Sequence, residues 1–315
     1  MSESNTKPET TQSQPQTQKK NKFRMKIKHP VYEVPLPVLG KNIMVRALTF
    51  KDKNKLVSNT MNKASSINLL YNVVWDLIET QDVFENDFNN FMNNVGWDDF
   101  IAILIGVLNI SNSANGADIK LKVSCEGIIT DELGNEVECG TKYNVSFMYK
   151  NLISSFDKAD RPIYGVPIEK EIKDYNVKLT VEYPTIYKDL SVLFIIEKLR
   201  EAKKLFKKMN VSEKEQELYL TILLNASAIS KISDLSNPNE FIEFNYDLDH
   251  PDCLETAVNF ASTLADFVDL DFIDDTVNPD KFGIECKAEV TCPKCKTTKV
   301  LDLKEWILDS FFPQE

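Results

Sequence analysis

A chain of 315 residues, 43% hydrophobic and 27% charged, has ordinary globular usage and room for two domains. Its 37 basic and 48 acidic side chains give a formal charge of −11, which argues against a general nucleic-acid binder. Nine glycines form neither a P-loop nor a dinucleotide-binding pattern, and two histidines leave little room for imidazole acid–base chemistry or a His-rich metal centre, so most catalytic readings are disfavoured.

Residues 1–22 are rich in Gln, Thr, Ser, Pro and Lys and too polar to bury a core. Residues 1–29 hold seven basic and two acidic side chains, so the rest of the chain carries −16. The expectation is a disordered basic tail over 1–29. It has no secretory apolar core, and no run of membrane-spanning length follows it. Tyr32, Val34 and Leu36 alternate with less apolar positions, and Pro35 and Pro37 make this an edge strand or an extended arm. Gly40 turns the chain into a second strand, Ile43 to Leu48. A helix opened by Thr49 is expected over Lys51–Asn62. The apolar stripe of Leu69, Leu70, Val73, Val74, Leu77 and Ile78 predicts another from Ile67 to Glu79. Trp97 to Leu108 is the most apolar helix and the best core candidate of this half.

Ile119, Leu121 and Val123 alternate with polar residues into Cys125. A turn at Leu133-Gly134-Asn135 returns the chain to Cys139, and Tyr143, Val145 and Phe147 continue the alternation. Val177 to Val181 is a further strand. Val192, Ile195, Leu199, Ala202, Phe206 and Met209 then fall at spacings of 3, 4, 3, 4, 3, the seam of an amphipathic helix. Ser212-x-x-Glu215 matches a capping box for a helix running to about Ile229. Another helix is expected from Leu254 to Val268. The six aspartates between Asp266 and Asp280 read as a solvated acidic turn, because the glycine and terminal glutamate of a calcium loop are missing. The chain closes with a Cys292-Pro293-Lys294-Cys295 knuckle, a strand at Lys299–Leu303 and an apolar end, Trp306 to Phe312. That end anchors in a partner groove or packs on its own domain.

The fold class expected is α+β, with β-hairpins and helices, a degenerate zinc-ribbon-like element and a helical C-terminal part. The expected domains are a mixed one at 30–184 bearing the Cys125–Cys139 hairpin, and a helical one at 185–315 ending in the knuckle and strand.

Two thiolates in a CxxC turn reach one ion, and Zn²⁺ favours four such soft ligands in a tetrahedron. The second pair is Cys125 and Cys139, at the two ends of a hairpin connection. Cys286 is less suitable, since an extended run to Cys292 holds it roughly 20 Å away. Two readings stand: a structural Zn²⁺ on Cys125, Cys139, Cys292 and Cys295, or four reduced thiols of a ribbon that has lost its metal. A redox CxxC would open a helix after a strand, whereas this one leads into a strand-like run. His29 and His250 each lie beside a proline and suit loops better than catalysis. No carboxylate pair stands out in so acidic a chain, so no catalytic residue is assigned.

The ordered pieces resemble a known family. Pro30-Val31-Tyr32-Glu33-Val34-Pro35-Leu36-Pro37, Gly40-Lys41, Val45-Arg46-Ala47-Leu48-Thr49, the Trp97–Leu108 helix, Cys139-Gly140, Val177 to Pro184, the closing CxxC, Leu301-Asp302-Leu303 and Phe311-Phe312 resemble in order the T-even-type bacteriophage baseplate protein family, the hub assembly proteins of contractile tails. The resemblance implies a late, non-enzymatic hub component or hub assembly factor. Such a protein docks on other baseplate hub or tail proteins in the host cytoplasm and, if retained, in the virion tail. It implies no small-molecule ligand and no membrane. A zinc-ribbon adaptor touching nucleic acid through the basic arm at Lys19–Lys28 is the alternative, weakened by the −16 body and by the lack of interleaved aromatics.

Overall fold

The computed structural model describes residues 29–57, 62–112, 119–130, 134–148, 167–225, 227–267 and 286–311. Strands β1 (Val31–Leu36) and β2 (Lys41–Arg46) form an antiparallel hairpin in which Val34 pairs with Ile43. Its turn closes through the Gly40 amide on Leu36 O at 2.9 Å, and Gly40 sits at φ 63°, a left-handed backbone that glycine adopts without strain. Thr49 does open α1 (Phe50–Val57). Its amide donates to Asp52 Oδ2 at 3.0 Å, and the Asp52 amide donates back to Thr49 Oγ1 at 3.2 Å.

Helices α2 (Lys63–Leu77), α3 (Phe88–Asn94) and α4 (Trp97–Asn112) complete the first core. Helix α4 runs through its middle, and every residue from Phe100 to Ile105 is fully buried. The helix lies so close on β1 that a Cβ at Gly106 would stand 2.2 Å from Val34 Cγ2. This apolar helix is buried on all sides, as its composition predicts.

The second core is built on an antiparallel sheet ordered β10-β9-β8-β7, from β7 (Ile168–Ile172), β8 (Val177–Val181), β9 (Ile229–Asp234) and β10 (Phe241–Glu243). Helices α5 (Ile186–Glu201), α6 (Lys203–Lys208), α7 (Glu213–Asn225) and α8 (Cys253–Ala265) cover it. The α+β class is therefore observed, although the part read as helical contains strands β9 and β10. Ile229 opens a strand rather than ending a helix, and the Val192–Met209 seam is two helices broken at Ala202, whose ψ is 44°. The capping box forms: the Ser212 amide donates to Glu215 Oε2 at 2.8 Å and the Glu215 amide to Ser212 Oγ at 3.3 Å.

The cores meet where the residues before α4 and α5 pair. Gly96 bridges Thr185, and the Ile186 amide donates to Val95 O at 2.8 Å. Fully buried Asp98 there accepts the Tyr183 hydroxyl, and fully buried Asp99 accepts the Val38 amide at 2.8 Å. Glu197 of α5 accepts the Ala64 amide in the first turn of α2 at 2.9 Å. The last stretch of chain joins the first core. Leu303 and Ile307 are fully buried there and Phe311 nearly so, with α9 (Lys304–Asp309) packed on α4. The apolar end is thus filled by its own fold and does not offer Ile307 or Phe311 as partner anchors. The tail at 1–28, Phe312 and most of the acidic stretch after Phe267 lie outside the described residues.

Candidate metal centre

The two cysteine pairs sit on two hairpins. Strands β3 (Ile119–Ser124) and β6 (Lys142–Phe147) pair, as do β4 (Ile128–Thr130) and β5 (Glu136–Glu138). Ser124 pairs with Lys142 and Ile128 with Glu138, so the register is the same on both sides of the gap. This is one hairpin interrupted at the cysteines. The Cys125 amide donates to Thr141 O at 3.0 Å and the Cys139 amide to Gly127 O at 2.7 Å. The two-residue period places Cys125 and Gly127 on one face together with their cross-strand partners Thr141 and Cys139. Val123 and Tyr143 continue that inward face, and Tyr143 packs against the cysteines.

The second hairpin, β11 (Lys287–Thr291) and β12 (Thr298–Asp302), carries the knuckle at its tip. The Cys292 amide donates to Thr297 O at 3.0 Å, and the Lys296 amide to Cys292 O at 3.1 Å. Lys296 holds φ 64°, a left-handed backbone in a non-glycine residue. The arms meet closely at Gly127, where a Cβ would stand 2.4 Å from Thr297 Oγ1 and 3.0 Å from Cys295 Sγ. Glycine is required here by contact. An ion pair, Lys299 Nζ to Glu126 Oε1 at 2.5 Å, braces the two arms from outside.

This approach brings together all four cysteines named from the sequence. The sulfurs of Cys125, Cys139, Cys292 and Cys295 lie within 4.8 Å of one another, with Cys125 to Cys295 at 3.3 Å and Cys139 to Cys292 at 3.9 Å. A tetrahedral ion with Zn–S bonds of about 2.3 Å needs sulfurs about 3.8 Å apart. The spacing and the all-thiol donor set fit that ion. Four thiolates would fill its coordination and leave no position for water or substrate, so the chemistry supplied is cross-linking.

The surroundings favour thiolates unequally. The Thr297 hydroxyl and amide, outweighing burial, bring Cys295 down to about 6. Thr141 lowers Cys139 in the same way. For Cys125 the Gly127 amide pulls downward, but burial and the three neighbouring sulfurs carry the thiol up to about 12. Without an ion, one sulfur of the four therefore retains a proton most strongly. Cation binding displaces it.

The two remaining cysteines stand apart, as the extended geometry of the last hairpin predicts for Cys286. That residue is buried in the first core, where its carbonyl accepts the Leu303 amide at 2.7 Å. Cys253 is buried in the second core and lies 3.4 Å from Asn245 O. His29 and His250 are exposed. Sequence reasoning missed Gly127, Thr141, Thr297 and the Lys299–Glu126 brace. Its one available signal was the repeat of Cys-x-Thr at 139–141 and 295–297.

Among the described residues no helix is long and apolar enough to cross a membrane. No protein-family model, curated protein or solved structure matches the chain.

Proposed function

We propose that the protein is a non-catalytic component or assembly factor of a contractile-tail baseplate hub, and that a structural Zn²⁺ staples the middle of its chain to its last hairpin. The observation that carries the staple is the convergence of four thiols from two hairpins, 153 positions apart at Cys139 and Cys292. A closed four-sulfur site is suited to fixing a shape and unsuited to activating a water. The ordered series of motifs running from Pro30 to Phe312 supports the baseplate assignment. Its partners are other hub or tail proteins, met during assembly in the host cytoplasm.

Protein purified without chelator is expected to hold close to one zinc per chain, and to lose it in Cys292→Ser. Absence of metal with all thiols titratable overturns the staple. Mass spectrometry of purified virions and matched infected-cell lysate tests the baseplate role. A fixed ratio to other tail proteins in virions identifies a hub subunit, while presence in lysate alone identifies an assembly factor. Absence from both, or retention of DNA or RNA at low salt, favours an adaptor instead.

A further inference from the structure

The two halves of the cysteine cluster are built alike, although they come from unrelated parts of the chain. In each, the second cysteine is followed by a left-handed residue and then a threonine: Cys139-Gly140-Thr141, with Gly140 at φ 57°, and Cys295-Lys296-Thr297, with Lys296 at φ 64°. The left-handed step folds the chain back so that each threonine returns to the sulfur two residues before it. Thr141 Oγ1 stands 3.2 Å from Cys139 Sγ, and Thr297 Oγ1 stands 3.3 Å from Cys295 Sγ. Cys125 takes the Gly127 amide at 3.3 Å and lies 3.3 Å from Cys295 Sγ, with no threonine hydroxyl on it among the described residues.

We propose that Thr141 and Thr297 are the positioning residues of the metal centre, their hydroxyls donating to the metal-bound sulfurs of Cys139 and Cys295 and holding each in the ligating rotamer. This rests on the metal reading above. While a proton remains on sulfur, each S–H donates to its threonine hydroxyl. When the metal takes the place of the proton, sulfur becomes the acceptor and the hydroxyl turns to donate. For Thr141 this means leaving a weak alternative acceptor, Cys139 O at 3.5 Å. A charge-assisted bond of this kind favours the thiolate over the thiol, and partners in such positions are worth about 10–100-fold in metal affinity. Only the hydroxyls are at issue, since the amides survive any side-chain change.

The test is Co²⁺ titration of the full chain, followed by Zn²⁺ competition, in wild type, Thr141→Val/Thr297→Val and Thr141→Ser/Thr297→Ser. The valine pair is expected to keep a four-thiolate charge-transfer spectrum with shifted band energy and to bind about tenfold or more weakly. The serine pair is expected to stay within about threefold of wild type. Valine affinity and band energy equal to wild type would overturn the proposal while leaving the metal centre standing. Equal weakening in the serine and valine pairs would also overturn it, assigning the loss to packing of the threonine methyl. Failure of the wild-type chain to bind Co²⁺ would take down the metal reading and this inference together.

Discussion

Gly127 decides whether the two arms meet. Replacing it with alanine puts a carbon 2.9 Å from Thr297 Cβ, an atom that cannot swing aside as a hydroxyl can. Gly127→Ala is expected to weaken Co²⁺ or Zn²⁺ binding by at least about tenfold. Gly134→Ala is the control: that residue has φ 83° but open space around its Cβ, so it should cost about 1 kcal/mol of backbone strain and leave the metal affinity unchanged. Two carboxylates carry opposite pH signatures. Burial raises Asp52, but bonds from Arg46 and Thr49 outweigh it and hold the group at about 2, below its ordinary 3.8. Its stabilisation is present above pH 3.8 and is lost as the pH falls through about 2. Asp189, in the first turn of α5, is pushed by burial to about 6 despite a bond from Ser227. Its contribution is fully present only below 3.8 and fades as the pH rises through about 6. Between pH 5 and 7 Asp189→Asn should flatten the fall in stability with rising pH by about 1–2 kcal/mol, read as the difference between wild-type and variant denaturation midpoints. Parallel pH profiles in the two proteins would refute the assignment.

At the scale of elements, local chemistry is legible and distant pairing is not. The Ser212–Glu215 box was plain in the sequence, and Ser212→Ala should cost about 1 kcal/mol in a urea denaturation midpoint without changing its slope. Helix α4 was equally plain, because the run from Phe100 to Leu108 holds no polar side chain and so has no face to present to water. The break at Ala202 was hidden. Alanine is the best helix former, and apolar spacing continues unchanged across it to buried Phe206. Strand β9 was hidden for a different reason. It lies inside the sheet with both faces covered, so Ile229, Ser230, Ile232 and Ser233 are all buried and the alternation that marks a half-exposed strand vanishes. The hairpin bearing Cys125 and Cys139 was readable because its outer face is solvated: Lys120, Lys122, Lys142 and Asn144 are exposed between inward apolar residues.

Across the whole molecule, a cut at residue 185 crosses both cores: Leu179 and Val181 belong with the second, while Ile186, Leu190, Cys286, Leu303, Ile307 and Phe311 belong with the first. Sequence order could not reveal this, because chain ends are placed by which apolar surface they cover. The cysteine cluster therefore ties a hairpin flanking the first core to the hairpin that feeds Leu303, Ile307 and Phe311 into it. Removing the metal with a strong chelator should lower the melting temperature by about 6 °C. That follows from about 4 kcal/mol of binding linkage at free metal a thousandfold above Kd, in a chain of this size. An unchanged melting curve would show that the staple adds nothing to the fold.

The distance in sequence between the two arms has a consequence in time. A ribosome adding about 5–20 residues per second delivers Cys292 roughly 8–30 s after Cys139, 153 positions earlier. Throughout that interval the first pair of thiols is exposed to the cell with half a coordination sphere, and helix α4 waits for the residues that close its far side. On the proposed metal reading, an ion caught early would be held by two sulfurs and exchange readily, to be locked only when the last hairpin arrives. Metal retention would then record that the last hairpin has been made.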